Sequence, residues 1–475
     1  MGERLGPRKT KIVATLGPAC DEPEVLAALL REGANVFRLN LSHGDRKSHR
    51  ERVERARSVA ARAGAPVAFL VDTRGIEVRT GPVVGGAVEL PTGTTFVLRE
   101  EPGVGDAASV YVDLPGFAGQ LAPGQRVLVD DGRIALRVLR VASGRVDCRV
   151  EVGGLLRDRR GVNCPDCELR REDQPERDRQ DLELARELGA DYVAASFVQR
   201  TDDLRRLRDL AGEVGFPVPL IAKIENRAGV QHLGAIVEEA DGTMVARGDL
   251  GVELPLERVP VIQKRLIAAT VTRGKPVITA TQMLDSMERN PSPTRAEVSD
   301  VANAILDGTS AVMLSGETAV GRHPVEAVRV LAAVAREAES VLGEFGTLQH
   351  IQPSPSNRVA DSVSQAAITM AHGLGAAGIV TLTETGFTSR SISKYRPRCP
   401  IFAVTVDRAV SRRLALNWGV TPFHYEGPRD DEAMIRFALD RVRELGHARE
   451  GELLVATAGR PQQAGSTDLI RVVRA

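Results

Sequence analysis

Ionisable side chains at the ends of apolar runs are the residues of this chain best placed to do chemistry. The stretch from Leu220 to Glu253 holds two such runs, LIAKIE and GTMVARGD, separated by a helical pattern from roughly 227 to 239. Lys223 and Glu225 sit two apart and so point to the same side of a strand. Arg247 and Asp249 end the second run, before a tight Gly-containing turn. A strand buried in a parallel sheet is apolar throughout, so charges at its carboxyl end call for a ligand. Two carboxylates converging beside a lysine suit a divalent cation, Mg²⁺ foremost, that holds an anionic substrate. A buried salt bridge is the competing explanation, and it weakens because the arrangement recurs elsewhere.

It recurs in RLNLSHG, which sets Arg38, Asn40 and Ser42 on one face of a strand, and in LVDTRG, which ends in Asp72 and Thr73. Oxygens from Asn, Ser, Asp and Thr make a hard cation site, with Arg38 alongside for a phosphate.

These runs need a scaffold that delivers many strand ends to one place. From Lys11 strand and helix alternate: KIVATLGP, VFRLNLSHG and VAFLVDTRG, then YVAASFV, LIAKIE, GTMVARGD, PVITATQM and AVMLSGE. Eight βα units predict an α/β fold of the (β/α)₈ TIM-barrel type, whose active sites lie at the carboxyl ends of the strands. An open doubly wound sheet is disfavoured, because no Gly-rich dinucleotide turn follows the first strand. Short alternating strands with turn signals from about 82 to 177 predict a small inserted β-barrel or sandwich, positioned as a lid. The expected domains are 1–81 and 178–346 for the barrel, 82–177 for the lid, and 347–475 for a C-terminal α/β domain beyond the polar linker GTLQHIQPSPSNR.

Composition bounds the partners. Sixty-three basic residues balance 63 acidic ones over 475 residues, so no footprint for nucleic acid or membrane appears. No apolar run approaches a spanning helix, and MGERLGPRKTKIV lacks a signal-peptide core. Five scattered cysteines suit a reducing compartment, and the expectation is a cytoplasmic protein. Only Lys9, Lys11, Lys47, Lys223, Lys264, Lys275 and Lys394 are lysine among the basic residues. A lysine kept against such an arginine bias is one that needs a compact ammonium.

TKIVATLGPAC, VFRLNLSHG, VDTRGIEVRTG, DYVAASFV, IAKIEN, DGTMVARGDLGVE, KPVITATQMLDSM, NPSPTRAEVSDVANAILDGTSAVMLSGETAVGRHPVEAV and TETGFTSRSISKYRP resemble the pyruvate kinase family, in order and over essentially the whole chain. The resemblance implies phosphoryl transfer from phosphoenolpyruvate to ADP, giving pyruvate and ATP, with Mg²⁺ and K⁺, in a homotetramer. It implies that Lys223 stabilises the phosphoryl group in flight and that Arg38 faces the phosphate. Glu225 and Asp249 would hold Mg²⁺, and the N–H groups of Gly248 and Asp249, with Thr281, would receive the carboxylate. Asn40, Ser42, Asp72 and Thr73 would form the K⁺ site, while Asn40, His43, Arg79 and Arg160 would serve the nucleotide. Thr281, Ser315 and Glu317 would organise a water for protonation of the enolate. Thr383, Thr385, Gly386 and Thr388 match a loop for a phosphorylated effector, although Glu384 within it would repel one and a plain capped turn reads equally well. An acid at Glu77 is the residue of K⁺-requiring members, where others carry lysine.

Three departures stand out. Arg160 replaces the family's lysine, TRGIE replaces TKGPE, and the charged run NCPDCELRREDQPERD (163–178) replaces a largely apolar hinge. That hinge leaves open a catalytically weak, metabolite-binding regulatory protein, and a metal-dependent aldolase would share the barrel and the metal. Cys164 and Cys167 form a lone CxxC that, with no second pair, reads as two ordinary thiols.

Overall fold

The computed structural model describes residues 7–171, 174–348, 351, 358–459 and 467–475. Parts of the hinge (172–173) and of the linker (349–350 and 352–357) lie outside the described residues.

Eight short apolar runs become parallel strands: β1 (Lys11–Thr15), β2 (Val36–Asn40), β3 (Ala68–Asp72), β4 (Tyr192–Ala195), β5 (Leu220–Ile224), β6 (Gly242–Ala246), β7 (Val277–Ala280) and β8 (Ala311–Leu314). They close into a barrel in chain order, with β1 pairing both β2 and β8. Alternation along each strand sorts the side chains. Val13, Val36, Leu70, Ile221, Met244, Ile278 and Met313 fill the interior, whereas Ile12, Phe37, Phe69, Leu220 and Val312 pack against the surrounding helices. Both faces are therefore buried, which is why the strands are apolar throughout.

Between β3 and β4 the chain builds a six-stranded sheet in the order Val162–Asn163, Arg126–Val129, Ile134–Ala142, Arg145–Val152, Thr95–Arg99, Ser109–Tyr111, plus the ribbon Ala87–Leu90 with Gly154–Arg157. The segment from Val78 to Gly81 runs between the two edge strands. Val162 N–H donates to Val78 O at 2.8 Å on one side, and Gly81 N–H to Tyr111 O at 2.7 Å on the other. The insertion is thus a closed small barrel around Phe96, Leu98, Val127, Leu136, Val146 and Val150.

The C-terminal sheet runs Val420–His424, Ile401–Thr405, Gly378–Leu382, Leu453–Gly459, Thr467–Arg474, parallel except for the last strand. The strand Val420–His424 and the helices Arg408–Leu414 and Asp431–Glu444 were not legible as elements, since no alternation marks VTPFH. Ala415 and Leu416 pack among the barrel-interior side chains, and Tyr192 Oη donates to Arg413 O at 2.9 Å. The C-terminal domain therefore seals the amino-terminal mouth, opposite the carboxyl ends of the strands. In that seam Lys11, 5% exposed, donates from Nζ to Val420 O at 2.6 Å. Among the described residues no helix is long and apolar enough to cross a membrane.

Candidate active site

The carboxyl ends of the barrel strands and the inserted barrel enclose a cleft of about 490 Å³. Lys223 enters from β5. Its Nζ lies 2.8 Å from Glu225 Oε1, 3.0 Å from Asp72 Oδ1 and 2.8 Å from Ser196 Oγ. Burial alone would lower the Lys223 ammonium, but Asp72 and Glu225 outweigh it and hold it above the ordinary lysine value. Asp72 in turn meets Arg38, whose Nε donates to Oδ2 at 2.8 Å. Burial would raise this carboxyl, yet Lys223 and Arg38 keep it below the usual carboxylate range. Arg38 is fixed from its other side, donating to Thr15 Oγ1 at 3.1 Å.

Asp249 is placed differently from the strand end expected of GTMVARGD. β6 stops at Ala246, and Arg247–Glu253 is a short helix with Asp249 in its first turn. Strand geometry gives way because Arg247 turns back. Its guanidinium donates to Thr281 O at 2.6 Å and pairs with Asp300 at 2.5 Å, which pulls the chain off the barrel axis. Burial first, and then the nearby Glu225 carboxylate, push the Asp249 carboxyl up to about 7. Glu225 also accepts from Phe197 N–H at 2.6 Å. Two carboxylates left facing each other, with the one nearby ammonium already committed, form an oxygen donor pair of the kind a hard divalent cation takes. No group of three or more acidic, His or Cys residues suited to a metal occurs among the described residues, so the remaining donors would come from substrate and water.

Thr281 and Gln282 follow β7 with φ of 66° and 54°, and Phe197 follows β4 with φ of 54°. Strained backbone of this kind collects at functional sites. Here it turns the Thr281 hydroxyl toward Gly248, whose N–H it accepts at 2.8 Å. Ser315 Oγ, after β8, is buried with no hydrogen-bond partner and lines the cleft. The Glu317 carboxylate accepts Ser315 N–H at 2.7 Å and Leu284 N–H at 3.1 Å, and burial raises its carboxyl.

Of the residues expected to hold a monovalent cation, the side chains of Asn40, Asp72 and Thr73 are engaged by protein. Asn40 Oδ1 accepts Ser42 N–H at 3.1 Å, Thr73 Oγ1 donates to Ala194 O at 3.1 Å, and Asp72 is held as above. Only Asn40 of the four lines the cleft, and Ser42 lies beyond the end of β2 rather than on its face. On the inserted barrel's side Arg79 and Arg160 line the cleft, Arg79 bonding Glu77 Oε2 at 3.2 Å and Arg160 reaching Asp130 at 3.4 Å. His43 is exposed and outside it. Ser196 is the cleft residue that sequence reading missed. Its hydroxyl joins Lys223 to Asp72, at 2.8 and 3.1 Å, and the rule that found the others, a polar residue ending an apolar strand, applies to YVAASFV as well.

Among the described residues, charges of the hinge find partners: Asp166 with Arg126 at 2.9 Å, Glu168 with Arg200 at 2.6 Å, and Asp178 with Arg206 at 3.5 Å. In the C-terminal domain Thr383 Oγ1 accepts Gly386 N–H at 2.9 Å, Thr388 and Thr467 hydroxyls bond at 2.7 Å, and Glu384 pairs with Arg429.

Fold and cleft together define a (β/α)₈-barrel enzyme built to hold a small anionic substrate between cationic side chains and a carboxylate pair. Family models agree: the pyruvate kinase barrel domain matches residues 7–328, and the pyruvate kinase alpha/beta domain matches 361–473. A pyruvate kinase of Geobacillus stearothermophilus is 45% identical over 469 residues, spanning 98% of this chain and 80% of that protein. One of Clostridium acetobutylicum is 41% identical over 468 residues, 98% of this chain and 99% of its own length. Pyruvate kinase 2 of Synechocystis sp. is 44% identical over 471 residues, with 98% and 79% covered. The chain belongs to the pyruvate kinase family. It is a phosphotransferase, and its reaction is that family's, moving the phosphoryl group of phosphoenolpyruvate to ADP with release of pyruvate and ATP. Nothing in these comparisons favours the regulatory alternative.

Proposed function

We propose that Lys223, Arg38 and Thr281 carry the transfer, with Glu225 and Asp249 holding Mg²⁺. The observation that supports this most directly is the Glu225–Asp249 pair, one carboxylate buried and the other half-buried, short of positive charge beside a fully engaged Lys223. Mg²⁺ bound there would neutralise charge on the substrate's oxygens. Lys223 and Arg38 meet the phosphoryl group as cations positioned in advance by Asp72 and Ser196, so little reorganisation accompanies charge development. Thr281 and the Gly248 N–H, bonded to each other at rest, exchange that bond for the substrate carboxylate. The free hydroxyl of Ser315, with Glu317 behind it, orients a water toward the enolate.

K⁺ would be held by Asn40, Ser42, Asp72 and Thr73, whose oxygens are of the right type, although those of Asn40, Asp72 and Thr73 must turn from protein partners to a cation. ADP enters on the side of Arg79, Arg160, Asn40 and His43. Residues 82–177 act as a lid over the barrel 1–81 and 178–346, and 347–475 as the regulatory domain. A phosphorylated effector at Thr383, Thr385, Gly386 and Thr388 would have to part Glu384 from Arg429, which would free a guanidinium for phosphate. Five free thiols among the described residues suit the cytoplasm, and we infer a homotetramer, to be read by light scattering. A coupled assay with phosphoenolpyruvate, ADP and Mg²⁺ tests the whole reading. Glu225→Gln should raise the Mg²⁺ concentration for half-maximal rate, and an unchanged value would remove Glu225 from the metal site.

A further inference from the structure

Cys164 and Cys167 stand where the inserted barrel joins the catalytic one, and no step of phosphoryl transfer uses them. The segment carrying them is tied from both sides. From the lid, Gln125 donates to Asp166 O at 3.0 Å and Arg126 pairs with the Asp166 carboxylate at 2.9 Å. From the catalytic barrel, Arg227 donates to Pro165 O at 3.2 Å and Arg200 pairs with Glu168 at 2.6 Å. Between these ties Cys167 N–H donates to Cys164 O at 3.1 Å, a turn that folds the two side chains together. Both cysteines line the catalytic cleft. Cys164 is buried, while Cys167 is partly open to the cleft.

Zinc does not explain the pair, since the described residues offer no third His, Cys or acidic ligand grouped with it. What the turn does provide is a chain reversal that sets positions 164 and 167 beside each other, and a disulfide then needs their Cβ atoms about 3.5–4.5 Å apart. The two sulfurs also differ in the way attacking and resolving thiols do. Its neighbour Cys164 lowers the Cys167 thiol, while the same neighbourhood, with burial, raises that of Cys164.

We propose that Cys164 and Cys167 are a reversible dithiol–disulfide pair, oxidised by peroxide, which stiffens the joint of the lid and slows turnover. The Cys167 thiolate attacks one peroxide oxygen, the O–O bond breaks, and the departing hydroxide takes a proton to leave as water. The sulfenic acid so formed on Cys167 is attacked by the Cys164 sulfur, the S–O bond breaks, and a second water leaves. Two thiols lose two electrons and two hydrogens in all, and one peroxide is reduced to two waters. A dithiol reductant reverses the step. The Cys148 thiol is sealed in the lid core, with no exposed surface through which to compete.

The full chain, reduced and then exposed to hydrogen peroxide, is alkylated and digested. The expected result is a peptide spanning both residues that has lost two hydrogens and resists alkylation. In parallel kcat/KM should fall, because lid motion gates turnover, and recover with dithiothreitol. Cys167→Ser should keep its activity under the same treatment. Cys164→Ser should instead accumulate a Cys167 sulfenic acid that dimedone traps. Full alkylation of both cysteines after peroxide overturns the proposal, and that readout does not depend on the phosphotransfer reading. A disulfide that leaves kcat and KM unchanged overturns it too, as does a Cys167→Ser protein inactivated like wild type.

Discussion

Replacing Lys223 with Met removes an ammonium that three oxygens hold at 2.8–3.0 Å, so the consequences divide into a catalytic part and a structural part. For the catalytic part, loss of one preorganised donor aimed at developing charge costs about 3–4 kcal/mol, and Lys223 is a full cation rather than a neutral donor. That corresponds to a fall in kcat of at least about 10²–10³. For the structural part, Asp72 keeps Arg38 but Glu225 loses its only cation among the described residues. An uncompensated buried carboxylate costs on the order of several kcal/mol. The variant should therefore melt lower than wild type, and Mg²⁺, bound by Glu225 and Asp249, should recover more of the lost Tm in the variant than it adds to wild type. Lys223→Arg sharpens the test, because it keeps the charge. A planar guanidinium cannot reproduce three contacts converging on one nitrogen, so its kcat should fall by about as much as that of Met. The assays are steady-state turnover at saturating Mg²⁺ and thermal melts with and without it. Near-normal turnover in either variant refutes the assignment, and a Tm that Mg²⁺ moves equally in wild type and Met variant refutes the pairing of Glu225 with the metal.

Glu77, in the cleft and bonded by Arg79 at 3.2 Å, is the residue on which K⁺ dependence should turn. Wild type is expected to lose most activity in a tetramethylammonium buffer and Glu77→Lys to lose less, and full wild-type activity there would sink the K⁺ site. The lid should move as a rigid body about its tied joint when Mg²⁺ and nucleotide bind, shrinking the radius of gyration in small-angle scattering, and an unchanged profile counts against closure. Lys11 makes stability depend on pH. Burial, with Arg8 adding to it, lowers its pKa from 10.5 to about 7, against a smaller opposing effect of Glu339. Between those values the unfolded chain binds the extra proton, so stability rises with pH through the window and is lost as pH falls toward 7. The slope is about 1.4 kcal/mol per pH unit, and Lys11→Met should flatten it in melts from pH 7 to 10.

Most of the barrel could be read from the sequence because its strands are buried on both faces and so written as unbroken apolar runs. The same logic exposed the site: in a run such as LIAKIE a charge has no structural reason to be there. Reading failed where tertiary contacts decide. Arg247 looks like a strand residue in GTMVARGD, and only its bonds to Thr281 O and Asp300, far along the chain, reveal the helix that carries Asp249. Ser196 escaped because a serine after YVAA is as ordinary in a loop as in a site. What makes it matter is the pair of charges it touches, which come from β3 and β5.

The lysines carry the same argument beyond the active site. In a chain that uses arginine almost everywhere, six of the seven lysines donate to a defined acceptor. Lys11 reaches one carbonyl through the domain seam, and Lys394 meets both oxygens of buried Asp361 at 2.7 and 2.8 Å. Lys275 reaches Val237 O and Glu238 O at 2.8 and 2.7 Å, near the end of the helix Leu233–Glu239, where unsatisfied carbonyls gather. Lys9 bonds Arg398 O at 2.6 Å, and Lys264 pairs with Asp307. Lys47 alone is a solvated surface charge, 3.9 Å from Glu51. A slim tetrahedral ammonium enters such places, whereas a planar fork needs room for five donors. Lys223, gripped by three oxygens at a catalytic mouth, is the strictest case of a requirement that the whole molecule repeats.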